Sequence, residues 1–315
     1  MTSGGDAPGM NAAIRAVTRT AIYNKLHIIG IKRGYAGLIE NEIEPLSLKR
    51  VGGIINRGGT TLLTSRSKEF MTPEGRKKAY TNLKKHDIDG LIVIGGDGSM
   101  HGANALETEF SVPTLTIPGT IDNDMYGSDY SIGFFTAVET AMDAIDKIRD
   151  TATSHERLFV IEVMGHHCGN IALITSIAGG AEGVFIPEEK TFDLETLLAL
   201  LQEGKNRGKL SSIVITAEGA YKAAELQDML KDHAYFRVRA VTLGHVQRGG
   251  VPNAFDRLIA SILGKAAVDY MIGGKHGGFV GLDKMSPIFT PYSEALTHEK
   301  SIDEQLIALQ EILAI

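Results

Sequence analysis

Short apolar runs alternate with amphipathic helical patterns along most of the chain. The runs are apolar at consecutive positions, which is typical of parallel strands that are covered on both faces. They are HIIGI (27–31), GLIVI (90–94), TLTI (114–117), RLFVIEV (157–163), GVFI (183–186), SSIVIT (211–216) and RAVTL (239–243). The helical patterns cover 11–24, 72–86, 135–151 and 255–272. This alternation predicts an α/β fold of doubly wound domains with largely parallel sheets, in which ligands bind at the carboxyl ends of strands.

Two of the helices have specific local signals. In the helix that begins near residue 11, Ala13, Ile14, Val17 and Ala21 share one apolar face. The helix over 72–86 has a threonine at its expected N-cap, followed directly by a proline, which is favoured at the first helical position.

Size and composition exclude several classes of protein. The chain has 315 residues, of which 43% are hydrophobic, enough for two domains or for one large unit split by a cleft. No apolar run is long enough to cross a bilayer, and no signal peptide opens the sequence, so we expect a cytoplasmic protein. The net charge of −6 argues against a broad nucleic-acid-binding face. The single cysteine, Cys168, excludes an internal disulfide and fits a reducing compartment.

Glycine-rich loops follow apolar runs at three places. They are TSGGDAPGMN (2–11), IGGDGSMHGAN (94–104) and IPGTIDND (117–124). Such loops let backbone N–H groups approach an anion where the positive end of a helix points at it, although each alone could be an ordinary strand-to-helix turn. None matches the Walker or GxGxxG patterns. Only Met1 precedes the first loop, so we expect either that its strand is missing, with a loss of apolar burial for the first domain, or that the domain does without it.

Three carboxylates lie in these loops. Asp97 follows a buried strand, where it could cap a helix or face Mg²⁺ on a nucleotide. Asp122 and Asp124 flank Asn123, either in a solvated turn or, if the segment is extended, on one side of it. One of the pair could then act as a base while the other helps hold the metal, which is the division of labour that phosphoryl transfer requires.

Four arginines lie near strand ends or glycine loops, where a guanidinium fork could bind phosphate. They are Arg66, Arg157, Arg239 and Arg248, and each alone could be an ordinary surface residue. The cluster MGHHCGN (164–170) is not a zinc site, because three adjacent residues cannot converge on one tetrahedral ion. We therefore expect Cys168 to be a buried structural thiol.

A set of motifs in collinear order resembles the bacterial-type ATP-dependent 6-phosphofructokinase family from residue 2 to about residue 282. The motifs are TSGGDAPGMNAAIRA, INRGGT, IGGDGS, PGTIDND, IGFFTA, DKIRDTA, LGHVQRGG and FDRLIAS. The resemblance implies a homotetramer of two-domain subunits with a cleft between the domains. Its reaction would transfer the terminal phosphoryl group of MgATP to the 1-hydroxyl of fructose 6-phosphate in glycolysis.

The resemblance also implies a role for each matching residue. The base would be Asp122, with Thr120 and Arg66 beside the transferred phosphate; Asp97 and Asp124 would hold Mg²⁺. The nucleotide positions would be Gly5, Tyr35, Arg66, Ser67, Gly96, Asp97, Gly98, Ser99 and Gly102. The sugar-phosphate positions would be Thr120, Ile121, Asp122, Arg157, Met164, Gly165, His166, Glu218, Arg239, His245, Val246, Gln247 and Arg248, with Arg157 and Arg239 reaching in from a neighbouring subunit. An effector site for a nucleoside diphosphate such as ADP, or for phosphoenolpyruvate, would use Arg15, Arg19, Arg149, Glu182, Arg207 and Lys209.

The same resemblance divides the chain into domains. A larger nucleotide-binding domain would comprise 1–133 and about 247–293, and a smaller sugar-phosphate domain would comprise 134–246 and about 294–315. Pyrophosphate-using relatives carry aspartate and lysine where this chain has Gly98 and Gly119. We therefore expect ATP to be the donor.

Three positions depart from the family pattern. His166 stands where the family has an arginine, which predicts a weaker or pH-dependent affinity for fructose 6-phosphate. Leu48 replaces a usual arginine and Gly53 a usual aspartate, so we expect weakened or absent allostery. A pyrophosphate-dependent phosphofructokinase and a catalytically weak nucleotide or sugar-phosphate sensor remain as alternatives. A lipid or NAD kinase fits less well, because neither explains PGTIDND together with LGHVQRGG.

Overall fold

The computed structural model describes residues 1–189 and 191–314, in which strands and helices alternate as the apolar pattern predicts. The strands are β1 (Thr2–Ser3), β2 (Ile29–Ile31), β3 (Ile43–Pro45), β4 (Leu91–Gly95), β5 (Thr114–Pro118), β6 (Arg157–Val163), β7 (Gly183–Phe185), β8 (Ser212–Ala217), β9 (Arg237–Thr242), β10 (Gly278–Asp283) and β11 (Ser286–Pro291). The helices are α1 (Met10–Tyr23), α2 (Gly34–Ile39), α3 (Pro73–Lys85), α4 (Asp97–Phe110), α5 (Phe134–His155), α6 (Asn170–Gly179), α7 (Leu194–Asn206), α8 (Ala223–Leu230), α9 (Ala254–Ile272), α10 (Tyr292–Ala295) and α11 (Glu304–Leu313). Short 3₁₀ turns cover Glu69–Met71 and Gly244–Arg248.

The chain forms two compact units. Unit 1 comprises 1–136 and 248–300, and unit 2 comprises 137–247 and 301–315. The assignment of nucleotide binding to unit 1 and of sugar-phosphate binding to unit 2 stays a prediction. Within the described residues, no helix is both long and apolar enough to span a membrane.

Unit 1 is built on a sheet with the strand order β1-β4-β5-β10-β11. The first four strands are parallel, and β10 and β11 form an antiparallel pair. The central strand β5 is completely buried along its length, as the consecutive apolar pattern predicts.

Unit 2 is built on a fully parallel sheet with the strand order β7-β8-β6-β9. The central strands β6 and β8 are buried almost throughout, and helices α7 and α8 contribute Leu197, Leu201, Leu226 and Leu230 to the same apolar core. The α/β class with mostly parallel sheets is thus confirmed in both units.

Three details of the strand predictions are wrong. Of the run HIIGI only Ile29–Ile31 is a strand, and it pairs antiparallel with β3 in a separate two-stranded sheet. The pair β10–β11 was not predicted, because its sequence is interrupted by glycine and proline. The strand before the first glycine loop is not wholly absent, since Thr2–Ser3 pairs in parallel with Ile94 and Gly95.

The local helix signals are confirmed. The hydroxyl of Thr72 accepts a hydrogen bond from the Gly75 amide at 3.1 Å, with Pro73 at the first helical position of α3. The face of α1 that carries Ala13, Ile14, Val17 and Ala21 is buried. Helix α1 packs closely on α9, because Gly264 has no side chain: a Cβ there would lie 2.7 Å from the Cβ of Ala16.

A buried carboxylate joins α9 to the start of α5. Asp256 is fully buried and accepts hydrogen bonds from the amides of Gly133 (2.9 Å) and Thr136 (2.8 Å) and from the Thr136 hydroxyl (2.5 Å). Its own amide donates to the side chain of Asn253, which caps α9. Since buried polar groups cost free energy when they lose their partners, this cluster fixes where α5 begins.

Replacing Asp256 therefore should destabilise unit 1. In Asp256→Asn one acceptor oxygen becomes an NH₂ group that faces N–H donors, so we expect the free energy of unfolding to fall by about 1–3 kcal/mol. Urea unfolding measures the change. The control is Asp269→Asn on the same helix, where an exposed carboxylate pairs with Lys265 and we expect a loss below about 1 kcal/mol. Equal losses in both variants would contradict the role given to Asp256.

Candidate active site

The carboxyl ends of β4 and β5 lie side by side in unit 1. Gly95 is opposite Pro118 in the parallel register, and the Gly119 amide donates to the Gly95 carbonyl at 3.0 Å. A Cβ placed on Gly96 would lie only 3.6 Å from the Cβ of Thr120. The loop that leads to Asp97 and the loop that begins at Thr120 therefore leave the sheet as neighbours.

The segment after β5 is held by hydrogen bonds within unit 1. The Asn123 side chain accepts from the Ser131 amide at 2.9 Å and donates to the Asp129 carbonyl at 3.2 Å. The Ser131 hydroxyl donates to the Thr120 carbonyl at 2.7 Å. Asn123 and Ser131 are buried, so the loop that carries the candidate base is fixed from beneath.

Asp122 is partly buried beside Thr120. The Thr120 hydroxyl lies 3.3 Å from Oδ2 of Asp122 and accepts from the Asp122 amide at 3.2 Å. One premise of the sequence analysis is wrong here: the segment is not extended, because Asn123 has a left-handed φ of 55°. Residues two apart face the same side only in an extended segment, so this rule does not place Asp122 and Asp124 together. Their roles as base and metal ligand stay predictions.

Asp97 is the first residue of α4, and its side chain is exposed. Nε2 of His101, one turn along the helix, lies 3.7 Å from Oδ2 of Asp97. Gly96 occupies the N-cap position, so no side chain caps the first-turn amides of α4. The positive end of the helix dipole therefore lies at the carboxyl end of β4. A Cβ on Gly98 would meet no atom within 4 Å, so this surface is open.

The first glycine loop lies against the same helix. A Cβ on Gly4 would lie 3.2 Å from the Ser99 hydroxyl, and the Thr64 hydroxyl donates to the Gly4 carbonyl at 2.8 Å. Nη1 of Arg248 lies 3.4 Å from the Asp6 carbonyl and would be 2.4 Å from a Cβ on Gly5. Unit 1 thus gathers the carboxyl ends of β1, β4 and β5.

Other predicted nucleotide positions differ in exposure. Tyr35 is buried, stacks on Phe70 with ring centroids 3.9 Å apart, and donates to the Ser99 carbonyl at 2.7 Å. Burial raises the pKa of Tyr35 well above its usual range, so its hydroxyl remains a donor. A Cβ on Gly102 would clash with this ring at 2.6 Å. Tyr35 and Gly102 therefore support α4 from within.

Arg66 lies on the loop that follows Thr64, and its side chain is exposed. The neighbouring Ser67 hydroxyl accepts from the Phe70 amide at 3.2 Å, which starts the 3₁₀ turn. The guanidinium of Arg66 is thus free to face solvent or a ligand, while its loop is anchored on both sides.

The two candidate metal carboxylates fit Mg²⁺ bound together with a nucleotide. Among the described residues, no three His, Cys, Asp or Glu side chains are grouped closely enough to hold an ion. Mg²⁺ in nucleotide sites is usually held by one or two carboxylates with phosphates and waters. Exposed Asp97 and half-buried Asp124 suit that mode better than an all-protein cage.

In unit 2, the carboxyl ends of β6 and β8 bring a second group of predicted residues together. Oε1 of Glu218 accepts from the amides of Gly165 (3.3 Å) and His166 (3.0 Å), and the Glu218 amide donates to the Val163 carbonyl. Met164 is buried, whereas the ring of His166 is exposed and contacts that of His167. Cys168 is buried, as predicted.

The remaining sugar-phosphate positions of unit 2 lie apart from this group. Arg157 begins β6, seven residues long, so it lies about 20 Å from the strand's carboxyl end. Arg239 is opposite Phe159, also nearer the amino end of β6, and it is exposed. Within one unit 2 these arginines therefore do not join Glu218 and His166. In the 3₁₀ turn after β9, His245 and Val246 are exposed and Gln247 is buried.

Comparisons with known proteins agree with the motifs. The family model for phosphofructokinases matches residues 1–271. The chain belongs to the phosphofructokinase family. A curated Thermus thermophilus relative, named ATP-dependent 6-phosphofructokinase 1, is 53% identical over 316 residues, covering 100% of this chain and 98% of the relative. A Bacillus thuringiensis relative, named ATP-dependent 6-phosphofructokinase, is 52% identical over 315 residues with the same coverage.

A solved phosphofructokinase from Saccharomyces cerevisiae is also similar to this chain. The two superpose with a TM-score of 0.88 at 35% identity, covering 100% of this chain and 47% of the yeast chain. This phosphofructokinase-family chain thus spans about half the length of that yeast chain and nearly all of its curated bacterial relatives.

The positions predicted for an effector in this phosphofructokinase-family chain fall in both units. In unit 1, Arg15 and Arg19 lie one turn apart on α1, Leu48 is exposed, and Gly53 has a φ of 67°. In unit 2, Arg149 donates to the carbonyls of Gly179 and Gly180, Lys209 pairs with buried Glu182, and Arg207 is exposed. The effector role and its weakening stay predictions.

Sequence reasoning missed a residue that positions the loop before Arg66. Asn11 is buried; its side chain donates to the carbonyls of Arg57 (3.0 Å) and Gly58 (3.1 Å) and accepts from the Thr61 amide (2.7 Å). The signal in the sequence was an amide side chain on the apolar face of α1, because an amide that becomes buried requires hydrogen-bond partners.

The geometry of Asn123 predicts a local effect of its replacement. Asn123→Ala removes the acceptor for the Ser131 amide and puts alanine at a left-handed φ, so we expect hydrogen exchange in the segment 120–131 to become about five- to tenfold faster. Asn123→Asp keeps an acceptor oxygen and tolerates the same φ, so we expect most of the protection to remain. Hydrogen exchange followed by mass spectrometry distinguishes the variants, and equal protection in both would contradict this role.

Proposed function

We propose that the chain transfers the terminal phosphoryl group of MgATP to the 1-hydroxyl of fructose 6-phosphate, giving fructose 1,6-bisphosphate and ADP in glycolysis. The observation that carries the proposal is the pair of neighbouring strand ends in unit 1. One leads to a partly buried carboxylate, Asp122, fixed beside the Thr120 hydroxyl. The other leads to the uncapped N-terminus of α4, which suits phosphate.

Asp122 is the base in this mechanism. Its carboxylate takes the proton of the sugar 1-hydroxyl as the sugar oxygen bonds to the γ-phosphorus. The bond from that phosphorus to the bridging oxygen breaks at the same time, and the electron pair leaves with ADP. The Thr120 hydroxyl, which accepts from the Asp122 amide, donates to the carboxylate and holds it in place.

The surrounding groups position and neutralise the phosphates. The amides of Gly96, Gly98 and Ser99 lie at the start of α4, and Arg66 stabilises charge on the transferred group. Asp97 and Asp124 would hold Mg²⁺, which neutralises phosphate charge when bound. Such catalysis consists mainly of positioning and charge stabilisation.

Glycine at 98 and 119 supports ATP as the donor. The open space at Gly98 leaves room for an inner phosphate, which an aspartate there would fill and repel. A Cβ on Gly119 would lie 3.0 Å from the side chains of Ile94 and Met10, so lysine there would press on the buried core. Both positions thus disfavour the pattern of pyrophosphate-using enzymes.

In unit 2, Glu218 and His166 supply contacts for the sugar phosphate. Arg157 and Arg239 serve a neighbouring subunit, because they lie far from Glu218 along the strands of their own unit. This arrangement supports an oligomeric active enzyme, for which we propose the homotetramer that the family resemblance implies, and in which an isolated monomer would bind sugar phosphate poorly.

Replacing the base tests the reaction directly. In Asp122→Ser we expect the turnover number with fructose 6-phosphate and ATP to fall about 10²–10⁴-fold, with binding of the sugar phosphate retained, because only the proton acceptor is removed. A coupled assay measures turnover, with ATP and pyrophosphate as alternative donors.

Asp228→Ser is the control, since it removes an exposed carboxylate on unit 2. Turnover of the wild-type chain with pyrophosphate but not with ATP would contradict the assignment of ATP as the phosphoryl donor. Full activity of Asp122→Ser would contradict the role of Asp122 as the base.

The departure at residue 166 gives a second test. His166→Arg puts a fixed positive charge at a residue whose backbone amide donates to the Glu218 carboxylate, so we expect the dissociation constant for fructose 6-phosphate to fall about tenfold, as for one added charge-assisted hydrogen bond. His167→Arg, an equally exposed neighbour, is the matched control. Calorimetric titration measures both. Unchanged affinity in His166→Arg, or an equal gain in both, would reject the role of residue 166.

A further inference from the structure

Glu162 is a buried carboxylate one residue before the carboxyl end of β6, an interior strand of the unit 2 sheet. Its side chain is only 7% exposed. In the parallel register it lies between Thr216 of β8 and Thr242 of β9. Neither the strand pairing nor the proposed phosphoryl transfer requires a carboxylate at this position. Because a buried charge is costly unless it is paired and hydrogen-bonded, the partners of Glu162 indicate its role.

One set of partners lies at the start of α8. Oε2 of Glu162 accepts from the Ala223 amide at 2.9 Å, where the positive end of the helix dipole favours a carboxylate. Oε1 accepts from Nζ of Lys222 at 3.3 Å, and the same ammonium group donates to the Glu218 carbonyl at 3.1 Å. Through Ala223 and Lys222, Glu162 therefore holds the turn between β8 and α8 that carries Glu218.

A second set of partners lies at the end of β9. The Thr242 hydroxyl donates to Oε2 of Glu162 at 3.2 Å, and the Leu243 amide donates to the Glu162 backbone carbonyl at 3.0 Å. The 3₁₀ turn that begins at Gly244 and carries His245 follows directly. Glu162 thus joins two turns of unit 2 that carry predicted sugar-phosphate positions.

The arrangement leaves one carboxylate oxygen of Glu218 for a ligand. Oε1 already accepts from the amides of Gly165 and His166, whereas Oε2 has no hydrogen-bond partner in the described part of the chain. A sugar hydroxyl can donate to Oε2 only when the carboxylate is held in hydrogen-bond geometry. A displacement of the Glu218 turn by about 1 Å would therefore weaken this contact.

Stability alone gives little reason for this ion pair. Removing a carboxylate from water offsets much of what a partner ammonium contributes, and apolar residues of similar size often stabilise a fold equally well. The three donors to the Glu162 side chain have another feature in common, because each comes from a segment that adjoins the Glu218 turn or the His245 turn.

We propose that Glu162 is a positioning residue for binding of the sugar phosphate. Through Lys222 and Thr242 it holds the turns of Glu218 and His245 in the arrangement that binds fructose 6-phosphate. This inference rests on the proposed sugar-phosphate role of unit 2. Since the base and the nucleotide-binding groups belong to unit 1, Glu162 acts on affinity for the sugar phosphate and leaves the chemical step to Asp122.

The variant Glu162→Gln tests this role in the full chain. The amide oxygen can still accept from Ala223 and Thr242, but its NH₂ group faces the Lys222 ammonium, which releases the Glu218 turn. We expect the dissociation constant for fructose 6-phosphate, measured by calorimetry, and its KM to rise about tenfold, as for one lost charge-assisted hydrogen bond. The turnover number at saturation and the KM for ATP should stay within about twofold. Equal changes in the parameters of both substrates would indicate a merely structural role and overturn the proposal.

Variants of Lys222 test the connection itself, and they carry the test if Glu162→Gln does not fold, because the Lys222 side chain is half exposed. We expect Lys222→Met to weaken sugar-phosphate binding about tenfold, and the double variant with Glu162→Gln to weaken it little further, since both changes break one connection. Lys231→Met, at the other end of α8, removes an exposed lysine paired with Asp228 and is the matched control, with unchanged affinity expected.

The same titrations separate this inference from the proposed function. A wild-type chain that does not bind fructose 6-phosphate would contradict the proposed function and the inference with it. Wild-type binding that neither Glu162→Gln nor Lys222→Met changes would overturn the inference alone. Independent, additive losses in the double variant would also overturn it, because the two residues would then not act through one connection.

Discussion

The parallel pairing of β4 with β5, in the register that sets Gly95 opposite Pro118, is the constraint on which the candidate site depends. Two residues beyond that pair, the backbone has left each strand. After β4 it enters α4 at Asp97, and after β5 it turns at Thr120 toward Asp122. A slip of one residue in this register would turn every β4 side chain to the opposite face of the sheet. Burial of both strands therefore fixes the site's geometry as well as the core.

The polar groups of unit 1 fall into two classes with different roles. Asn11, Asn123, Ser131 and Asp256 are buried and hydrogen-bonded mainly to backbone groups, so they hold loops and helix ends in one arrangement. Asp97 and Arg66 are exposed, and their charges remain available to a ligand. A transfer reaction that depends on positioning needs both, since the exposed charges are useful only when the loops beneath them are rigid.

The sequence predicts the parts of this structure that local pattern determines. Consecutive apolar runs located β4, β5, β6 and β8, and the threonine–proline signal located the start of α3. Pairing partners are not local, which is why Ile29–Ile31 was assigned to a parallel sheet although it pairs antiparallel with β3. The left-handed φ of Asn123 was equally hidden, because a single such residue changes which side chains face together without changing the composition. Family motifs supplied the residue roles, which neither periodicity nor spacing could assign.

The central claim is that Asp122 faces the sugar alcohol that accepts the phosphoryl group. A crystal structure of the chain with fructose 6-phosphate and a non-hydrolysable ATP analogue tests it most directly. The account predicts a carboxylate oxygen of Asp122 within about 2.6–3.2 Å of the 1-hydroxyl oxygen. A well-ordered complex in which that carboxylate points away from the hexose, with another group at hydrogen-bond distance from the hydroxyl, would contradict it.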